Sequence, residues 1–365
     1  MLKGFLSAIF ILILLNAGAQ NFDSLLAVSG TLKHDTDKIN LFYKEGFSNR
    51  ATDPQYSYFC AKQAEQIAQR VSLPYFISKV SNLLGILYYR KHDLATALSY
   101  HKKALNLRTI INDQRGIALS NINLGNIYTD LKKFDLAEQA YLQSLNICHT
   151  LGDQKQVGNC LLNLGVLNTG QKNINAAKNY FTTAIKNARS RHDYELEAIC
   201  LNNLAVINIS ANNFDDAIGN CVNSIKIKDL MENEMEMADS YLNIALAYYK
   251  KNDKQLAEEN LKIADSIIAK YDYTAALIQS LKIKADRYNE EKNYELAFNY
   301  LNRYHELQDS LRIINDALNL ENNFIETYNK PTIAGTENFK FPFIYMNALL
   351  LILILTGAFL FNMKR

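Results

Sequence analysis

The chain has 365 residues, of which 48% are hydrophobic, and this composition is sufficient for a large buried core. Its formal net charge is only +2 at pH 7, and the sequence contains neither a basic tract nor an acidic tail. Nucleic-acid binding therefore has no electrostatic support, and nucleic acid is not an expected partner.

The N-terminal residues 1–19 have the features of a secretion signal peptide. Lys3 supplies a positive charge, an apolar stretch runs from Phe5 to Leu15, and small residues ending at Ala19 form a cleavage site. The apolar stretch is too short to span a bilayer, which favours cleavage over retention as an anchor. We therefore expect export of a chain that begins near residue 20.

Residues 20–309 are predicted to form one solenoid domain, because small residues recur along them with a constant step of 40. The first series of small residues is Gly85, Gly125, Gly165, Ala205, Ala245 and Ala285. The second series is Ala97, Ala137, Ala177, Ala217, Ala257 and Ala297. Self-similarity at one fixed period indicates a stack of similar supersecondary units.

Each unit is predicted to be a pair of antiparallel helices. Apolar residues recur every three or four positions, and no proline occurs between Pro74 and Pro331. Short polar breaks such as residues 91–93 leave room only for a tight turn, so the two helices must fold back on each other. The small residues allow the two helices to approach closely. A single pair cannot cover its own apolar face, so neighbouring pairs must share a continuous core.

The predicted fold is therefore all-α, a right-handed α-solenoid of about seven antiparallel helix pairs. A degenerate first pair over residues 35–70 suits an N-terminal cap, and a short helix over residues 21–33 precedes it. Six clearer pairs follow, from about Leu73 to about Asp309, and the last of them is more charged than the others. That composition suits a C-terminal cap.

Beyond the solenoid, residues 310–340 are predicted to form a helical stalk and linker, which Pro331 and Gly335 interrupt. Residues 341–361 follow without a charged side chain and are long enough for one transmembrane helix. The positive-inside rule places the basic tail, residues 362–365, in the cytoplasm. Together with the signal peptide, this predicts a single-pass protein of the bacterial inner membrane with its repeats in the periplasm.

The repeat signature resembles that of the tetratricopeptide repeat, which pairs Leu-Gly with a later tyrosine and an alanine near the start of the second helix. The matching residues are Leu84, Gly85, Tyr88, Ala97 and Ala104, and then Leu124, Gly125, Tyr128 and Ala137. The chain departs from the family in lacking tryptophan, in replacing the closing proline, and in a period of 40 rather than 34 residues. Its longer period is similar to that of the family branch found in bacterial signalling proteins and in kinesin light chains.

The two ends carry a second resemblance. A signal peptide, the segment Asp23-Ser24-Leu25-Leu26, long repeats, the segment Asp309-Ser310-Leu311 and one membrane helix resemble the periplasmic sensor half of certain proteins. These are the tetratricopeptide-repeat histidine kinases and transcriptional regulators of Bacteroidetes-type bacteria, which continue into a cytoplasmic output domain. This chain stops four residues after the predicted membrane helix, so the resemblance implies sensing and does not extend to kinase activity.

No catalytic or metal-binding constellation is evident in the sequence. The six histidines are scattered without ligand spacing, and we expect them on the surface. The glycines occur singly, so none forms a phosphate-binding loop. The five cysteines are odd in number and lack CxxC spacing, which favours small buried residues over disulfides or metal ligands. The sequence therefore predicts no enzyme activity, no metal site and no cofactor.

One polar pattern recurs with the repeat. Its members, each two residues before the small residue of a first helix, are Asn123, Asn163, Asn203 and Asn243. In a right-handed stack the first helices line the concave surface, where a row of amides can donate to and accept from an extended peptide backbone. The row resembles the asparagine ladder that kinesin light chains carry at the same motif position. Alternatively, the amides hydrogen-bond to neighbouring helices as packing features.

Further groove candidates flank this row; they are Asn82, Asn126, Asn202, Tyr89, Tyr249, Arg90 and Lys250. Their mixed polar and aromatic character indicates neither an anionic nor a strongly apolar ligand. The sequence thus predicts a non-catalytic, membrane-anchored scaffold that binds a protein or peptide segment in the concave groove. The alternative is a sensory subunit that signals through its membrane helix to a separate kinase or transcription regulator. No particular oligomeric state is predicted.

Overall fold

The structure is a computed structural model that describes residues 22–310, and within that range it contains fifteen helices and no strand. The helices are α1 (22–31), α2 (Asp35–Asn49), α3 (Pro54–Val71), α4 (Pro74–Arg90), α5 (Leu94–Ile110), α6 (Gln114–Asp130), α7 (Phe134–Thr150), α8 (Gln154–Gly170), α9 (Ile174–Ser190), α10 (Tyr194–Ser210), α11 (Phe214–Leu230), α12 (Glu234–Lys250), α13 (Lys254–Tyr271), α14 (Thr274–Glu290) and α15 (294–310). The predicted signal peptide, membrane helix and cytoplasmic tail, and the predicted stalk apart from Ser310, lie outside the described residues. None of the described helices is long and apolar enough to cross a membrane.

Consecutive helices pack as pairs, as the sequence predicts. We call the first member of each pair an A helix (α2, α4, α6, α8, α10, α12, α14) and the second a B helix (α3, α5, α7, α9, α11, α13, α15). From α2 to α13, the most extensive packing joins the two helices of one pair, and each B helix also packs against the next A helix. The prediction of an all-α stack of helix pairs is confirmed.

Every connection from α3 to α15 uses the same kind of turn, because one residue with positive φ recurs with a step of 20. These residues are Ser72, His92, Asn112, Lys132, Gly152, Lys172, His192, Asn212, Glu232, Asn252, Asp272 and Lys292. A hydrogen bond closes the turn; for example, the Asp93 N–H donates to the Tyr88 carbonyl oxygen at 3.0 Å. The turn within a pair therefore has the same backbone form as the turn between pairs. Each 40-residue repeat thus consists of two helix-and-turn units of 20 residues.

The residue that follows the left-handed one caps the next helix in many of these turns. A carboxylate oxygen there accepts a hydrogen bond of 3.0–3.2 Å from the backbone N–H three residues later, at Asp93, Asp113, Asp153, Asp193 and Asp253. The bond satisfies an N–H that has no partner within the helix, and the negative charge interacts favourably with the helix dipole. These carboxylates have a structural role.

The first series of small residues faces larger side chains sixteen residues later, on the B helix of the same pair. A Cβ atom at Gly165 would lie 2.5 Å from the Phe181 ring, so only glycine leaves room for that ring. Where the series has Ala245, the residue sixteen positions later is the smaller Leu261, in the same buried cluster. All twelve small residues of the two series are buried. Glycine thus lies under a ring, and alanine under a smaller side chain.

His101 is buried, which corrects the expectation that the histidines lie on the surface. Its ring covers Gly85, where a Cβ atom would lie 2.6 Å from Nε2, and only 1% of the residue is exposed. Burial, together with the nearby charge of Arg108, lowers the pKa of His101 to about 4, so the imidazole is neutral at pH 7. Its Nδ1 has no hydrogen-bond partner within the described residues. The other five histidines are exposed.

Candidate functional site

The A helices share one surface. Successive A helices from α2 to α14 contact each other, whereas contacts of similar extent between successive B helices are absent from the described part of the chain. In a curved stack of repeats, the elements that touch lie on the inner side and the elements that spread apart lie on the outer side. The A helices therefore line the concave side of the array.

The accessible side chains of the A helices form a narrow strip, which we call the groove lane. On α8 and α10 its members are Asn159, Asn163, Val166 and Thr169, and Ile199, Asn203, Val206 and Ile209. Their spacing of four, three and three residues keeps them on one face of the helix. Because the other A helices have the same four positions, the lane follows the array.

Two of the predicted ladder asparagines, which we call the outer rungs, are Asn123 and Asn243. Asn123 Nδ2 donates to Asn82 Oδ1 at 2.9 Å, and Asn243 Nδ2 donates to Asn202 Oδ1 at 3.0 Å. Each bond crosses from one A helix to the preceding one. Asn243 is only 3% exposed. The outer rungs are therefore committed to contacts between helices.

The other two, which we call the inner rungs, are Asn163 and Asn203, and both are partly exposed. Asn163 Nδ2 donates to Asn126 Oδ1 over a longer 3.4 Å, and Asn126 Oδ1 also accepts from Tyr141 Oη at 2.7 Å. Asn203 Nδ2 donates to the carbonyl oxygen of Ile199 in its own helix at 2.9 Å. Asn163 thus makes one long hydrogen bond to the preceding A helix, and Asn203 makes one hydrogen bond within its own helix.

A buried arginine explains why the first outer rung is held in place. Arg108 Nη1 donates to Asn82 Oδ1 at 3.3 Å, to the Gly116 carbonyl oxygen at 2.9 Å and to Ser120 Oγ at 2.8 Å. Its Nε lies 4.0 Å from Asp113 Oδ2. Burial lowers the pKa of Arg108, and a guanidinium stays charged even so. Asn82 therefore bridges a buried charge and Asn123.

Three repeats later the same arrangement recurs around a buried lysine. Lys228 Nζ donates to the Glu236 carbonyl oxygen at 2.6 Å and to Ser240 Oγ at 3.4 Å. Ser240 Oγ in turn donates to Asn202 Oδ1 at 3.2 Å. Burial lowers the pKa of Lys228. We call these two helix contacts, α5 with α6 and α11 with α12, the polar junctions.

The junctions between them contain cysteine or alanine at the same positions. Ala188 and Cys200 lie where α9 meets α10, and Cys148 and Cys160 lie where α7 meets α8. All five cysteines are buried and unpaired, as the sequence indicated. Burial raises the pKa of Cys160 and Cys200 to about 12, so both thiols stay protonated and unreactive. We call these two the apolar junctions.

The remaining predicted groove residues lie at the C-terminal ends of α4 and α12. Tyr249 Oη donates to Glu258 Oε1 at 2.6 Å. Lys250 Nζ forms an ion pair with Glu290 Oε1 at 2.8 Å. At the other end Arg90 is exposed and Tyr89 is half-buried. Burial raises the pKa of Tyr89, so its hydroxyl stays protonated at neutral pH. Tyr249 and Lys250 thus lie on the A helix next to that of Asn203, and Tyr89 and Arg90 lie two A helices before that of Asn163.

Two lane residues that the sequence analysis did not single out are Val166, which is 43% exposed, and Val206, which is 39% exposed. Each lies three residues after an inner rung, on the same helix face. That spacing was available in the sequence. An apolar residue in an amphipathic helix is ordinarily part of the core, however, and the exposure becomes evident only once the neighbouring helices are in place.

A cavity of about 720 Å³ lies away from the lane. It is lined by Met237 and Tyr241 of α12, by Ile267 of α13, and by the carboxylates of Glu232 and Glu234. None of the predicted groove residues lines it. The lane is an open strip rather than an enclosed space, so a comparison of cavity volumes does not identify it. Among the described residues, no group of three or more histidine, cysteine or acidic side chains could hold a metal ion.

Comparison with known proteins identifies the repeat. Two sequence profiles of the tetratricopeptide repeat match the chain, the first over residues 76–149 and 114–190 and the second over residues 238–271. No curated protein sequence matches significantly.

Several solved structures share the fold. The apo form of RapI has 15% identity and a TM-score of 0.64, and the match covers 75% of this chain and 98% of that one. A Rap protein complexed with competence and sporulation factor has 19% identity and a TM-score of 0.60, with 79% and 80% covered. NprR in complex with its cognate peptide NprX has 13% identity and a TM-score of 0.58, with 92% and 93% covered.

Proposed function

Since the chain contains tetratricopeptide repeats, we propose that it is a non-catalytic scaffold that binds an extended protein or peptide segment in the groove lane. The observation that carries this proposal is the lane itself, which presents partly exposed amides at one position of successive A helices. A side-chain amide offers a donor and an acceptor together, which matches a peptide backbone of any sequence.

The spacing of the helices supports the same conclusion. Packed helices lie about 8–10 Å apart, and an extended chain advances about 3.3 Å per residue. One rung therefore meets every third residue of a segment that runs along the lane. The likeness to NprR, which was solved with a peptide, adds support because the same fold holds a peptide there.

We further propose that the scaffold is anchored in a membrane. Residues 341–361 would hold the scaffold in the bacterial inner membrane with the repeats in the periplasm, as their length and lack of charge indicate. The alternative function, a sensory subunit that acts on a separate kinase or transcription regulator, is favoured by the resemblance of both ends to envelope sensors. A fluorescent protein fused after Arg365 tests the topology: fluorescence requires a cytoplasmic C-terminus, and a dark, exported fusion contradicts it.

Site-specific photo-crosslinking in cells tests the binding function. A photoreactive amino acid replaces Asn163, and the matched control replaces Lys178, which is exposed on α9 outside the lane. Mass spectrometry then identifies the captured sequence. We expect one defined segment of a partner at position 163 and none at position 178. Equal capture at both positions, or none at either, would contradict a binding role of the lane.

A further inference from the structure

We infer that the ligand contacts the inner rungs, Asn163 and Asn203, and that it is an uncharged segment with aliphatic side chains. This inference rests on the proposed function and narrows it to the lane of α8 and α10. The outer rungs, Asn123 and Asn243, are structural.

The outer rungs are less available to a ligand than the inner rungs because their Nδ2 groups are bonded into the polar junctions, although Asn123 is partly exposed. Asn123 donates to Asn82, and Asn82 also accepts from the buried Arg108. Asn243 is almost fully buried; it donates to Asn202, and its Oδ1 accepts from Gln279 Nε2 at 3.2 Å. A ligand that took these amides would break a hydrogen bond in the network around each buried cation, which is costly.

The inner rungs do not carry that cost. The junction beside Asn163 contains Cys148 and Cys160 instead of a buried cation. The junction beside Asn203 contains Ala188 and Cys200, so no buried cation depends on either rung amide. The Nδ2 bond of Asn163 is long, at 3.4 Å, and that of Asn203 returns to its own helix. Both side chains are partly exposed, and a peptide backbone can replace either bond with one of equal quality.

The absence of charged side chains from the centre of the lane argues against a charged ligand there. None of the eight lane residues of α8 and α10 is charged. Outside these two helices the same position holds Lys79 on α4 and Asp239 on α12, and Asp239 Oδ2 accepts from Tyr273 Oη at 3.0 Å. A charged ligand group over α8 and α10 would lose water without gaining a partner. The central segment of the ligand is therefore neutral.

The valines specify the side chains of the ligand. Val166 and Val206 occupy the same position of adjacent A helices, and both are exposed. At a helix spacing of about 8–10 Å they meet ligand residues about three apart, since an extended or polyproline-type chain advances about 3.1–3.3 Å per residue. Aliphatic side chains at positions i and i+3 of the ligand would cover both valines.

A peptide selection on the full-length chain tests this inference. The probe is a displayed library of random hexapeptides, long enough to reach two rungs, selected on the detergent-purified protein. We expect neutral sequences with aliphatic residues three apart. A Val206→Lys variant should instead select peptides with an acidic residue at one of these two positions, because the lysine supplies a positive charge that the lane of α8 and α10 otherwise lacks.

The affinities of rung variants for one selected peptide then show which rungs contact the ligand. Asn163→Ala with Asn203→Ala should weaken binding about tenfold or more, since each lost hydrogen bond contributes a factor of several. Asn123→Ala and Asn243→Ala, compared at a temperature where circular dichroism shows the fold intact, should change affinity less than about threefold. If wild type retains no peptide, the proposed function itself fails. If it retains charged peptides, or if the outer rungs matter as much as the inner ones, only this inference fails.

Discussion

The repeats α4–α5 and α8–α9 share a backbone and differ in what they bury. Both place a glycine under a ring and both close with a left-handed turn residue. Yet α4–α5 buries His101 and Arg108 where α8–α9 buries Phe181 and Ala188. The small residues and turns thus determine the architecture, and the interior of each repeat varies separately because a repeat contacts only its neighbours. We call these the polar repeat and the apolar repeat.

The difference reaches the groove lane. In the polar repeat, the buried charge of Arg108 requires Asn82, which in turn holds Asn123. The apolar repeat requires no such partner, and Asn203, the counterpart of Asn123, donates within its own helix. A change in the interior of one repeat therefore alters which amides the concave surface offers.

The largest expected effect comes from removing the buried charge of the polar repeat. Arg108→Ala should lower the free energy of unfolding by about 3–5 kcal/mol, because three buried hydrogen bonds are lost and a cavity remains. Urea unfolding followed by circular dichroism measures the loss.

The apolar junction supplies the control. The triple variant Asn82→Leu, Arg108→Ala and Ser120→Cys copies the residues Leu162, Ala188 and Cys200 of that junction. It should recover most of the stability, since replacing a buried polar network with packed apolar groups is often neutral. A triple variant as unstable as Arg108→Ala would show that the two junctions are not equivalent.

The polar repeat should also be the more acid-sensitive one. The pKa of His101 is about 4 in the folded chain and 6.5 as an ordinary value. Folding therefore excludes the proton, and the stability present above pH 6.5 is lost as the pH falls toward 4, by up to about 3 kcal/mol. His101→Phe copies the apolar repeat and should flatten this part of the pH profile. Parallel profiles for wild type and variant would refute the assignment.

A smaller effect is expected from the glycine of the apolar repeat. Gly165→Ala places a Cβ atom against the Phe181 ring and should cost about 2 kcal/mol through overpacking. Adding Phe181→Leu reproduces the combination of Ala245 with Leu261 and should restore about 1 kcal/mol. A double-mutant cycle on thermal midpoints measures this coupling, and strictly additive changes would argue against direct packing.

The smallest effect tests the turns that both repeats share. Asp153→Ala removes the cap of α8 and should cost about 1 kcal/mol. Lys133 occupies the same turn position before α7 without a side-chain cap, so Lys133→Ala is the matched control and should change stability little. A loss of equal size in both variants would assign the effect to the turn backbone rather than to the cap.

The sequence was sufficient for the period, the helix pairs and the series that begins with Gly85, because small residues that recur at one spacing indicate helices in close contact. It was insufficient for the step of 20, since the left-handed positions hold side chains such as His92 and Lys132 instead of glycine. Burial of His101 depends on the facing glycine. The division of the rungs depends on which amides meet across helices, for which the only sequence sign is that Asn82 and Asn123, and Asn202 and Asn243, are each 41 residues apart.

The uniform turn has a consequence for how such a chain can change. Any block of 40 residues cut at two left-handed positions has backbone ends that fit every other such site. Moving the block from Lys132 to Lys172 into another position would transplant Asn163 and Val166 together with their helix. Ligand preference can therefore be recombined with the backbone of every turn unchanged, provided that the side chains of each polar junction move together.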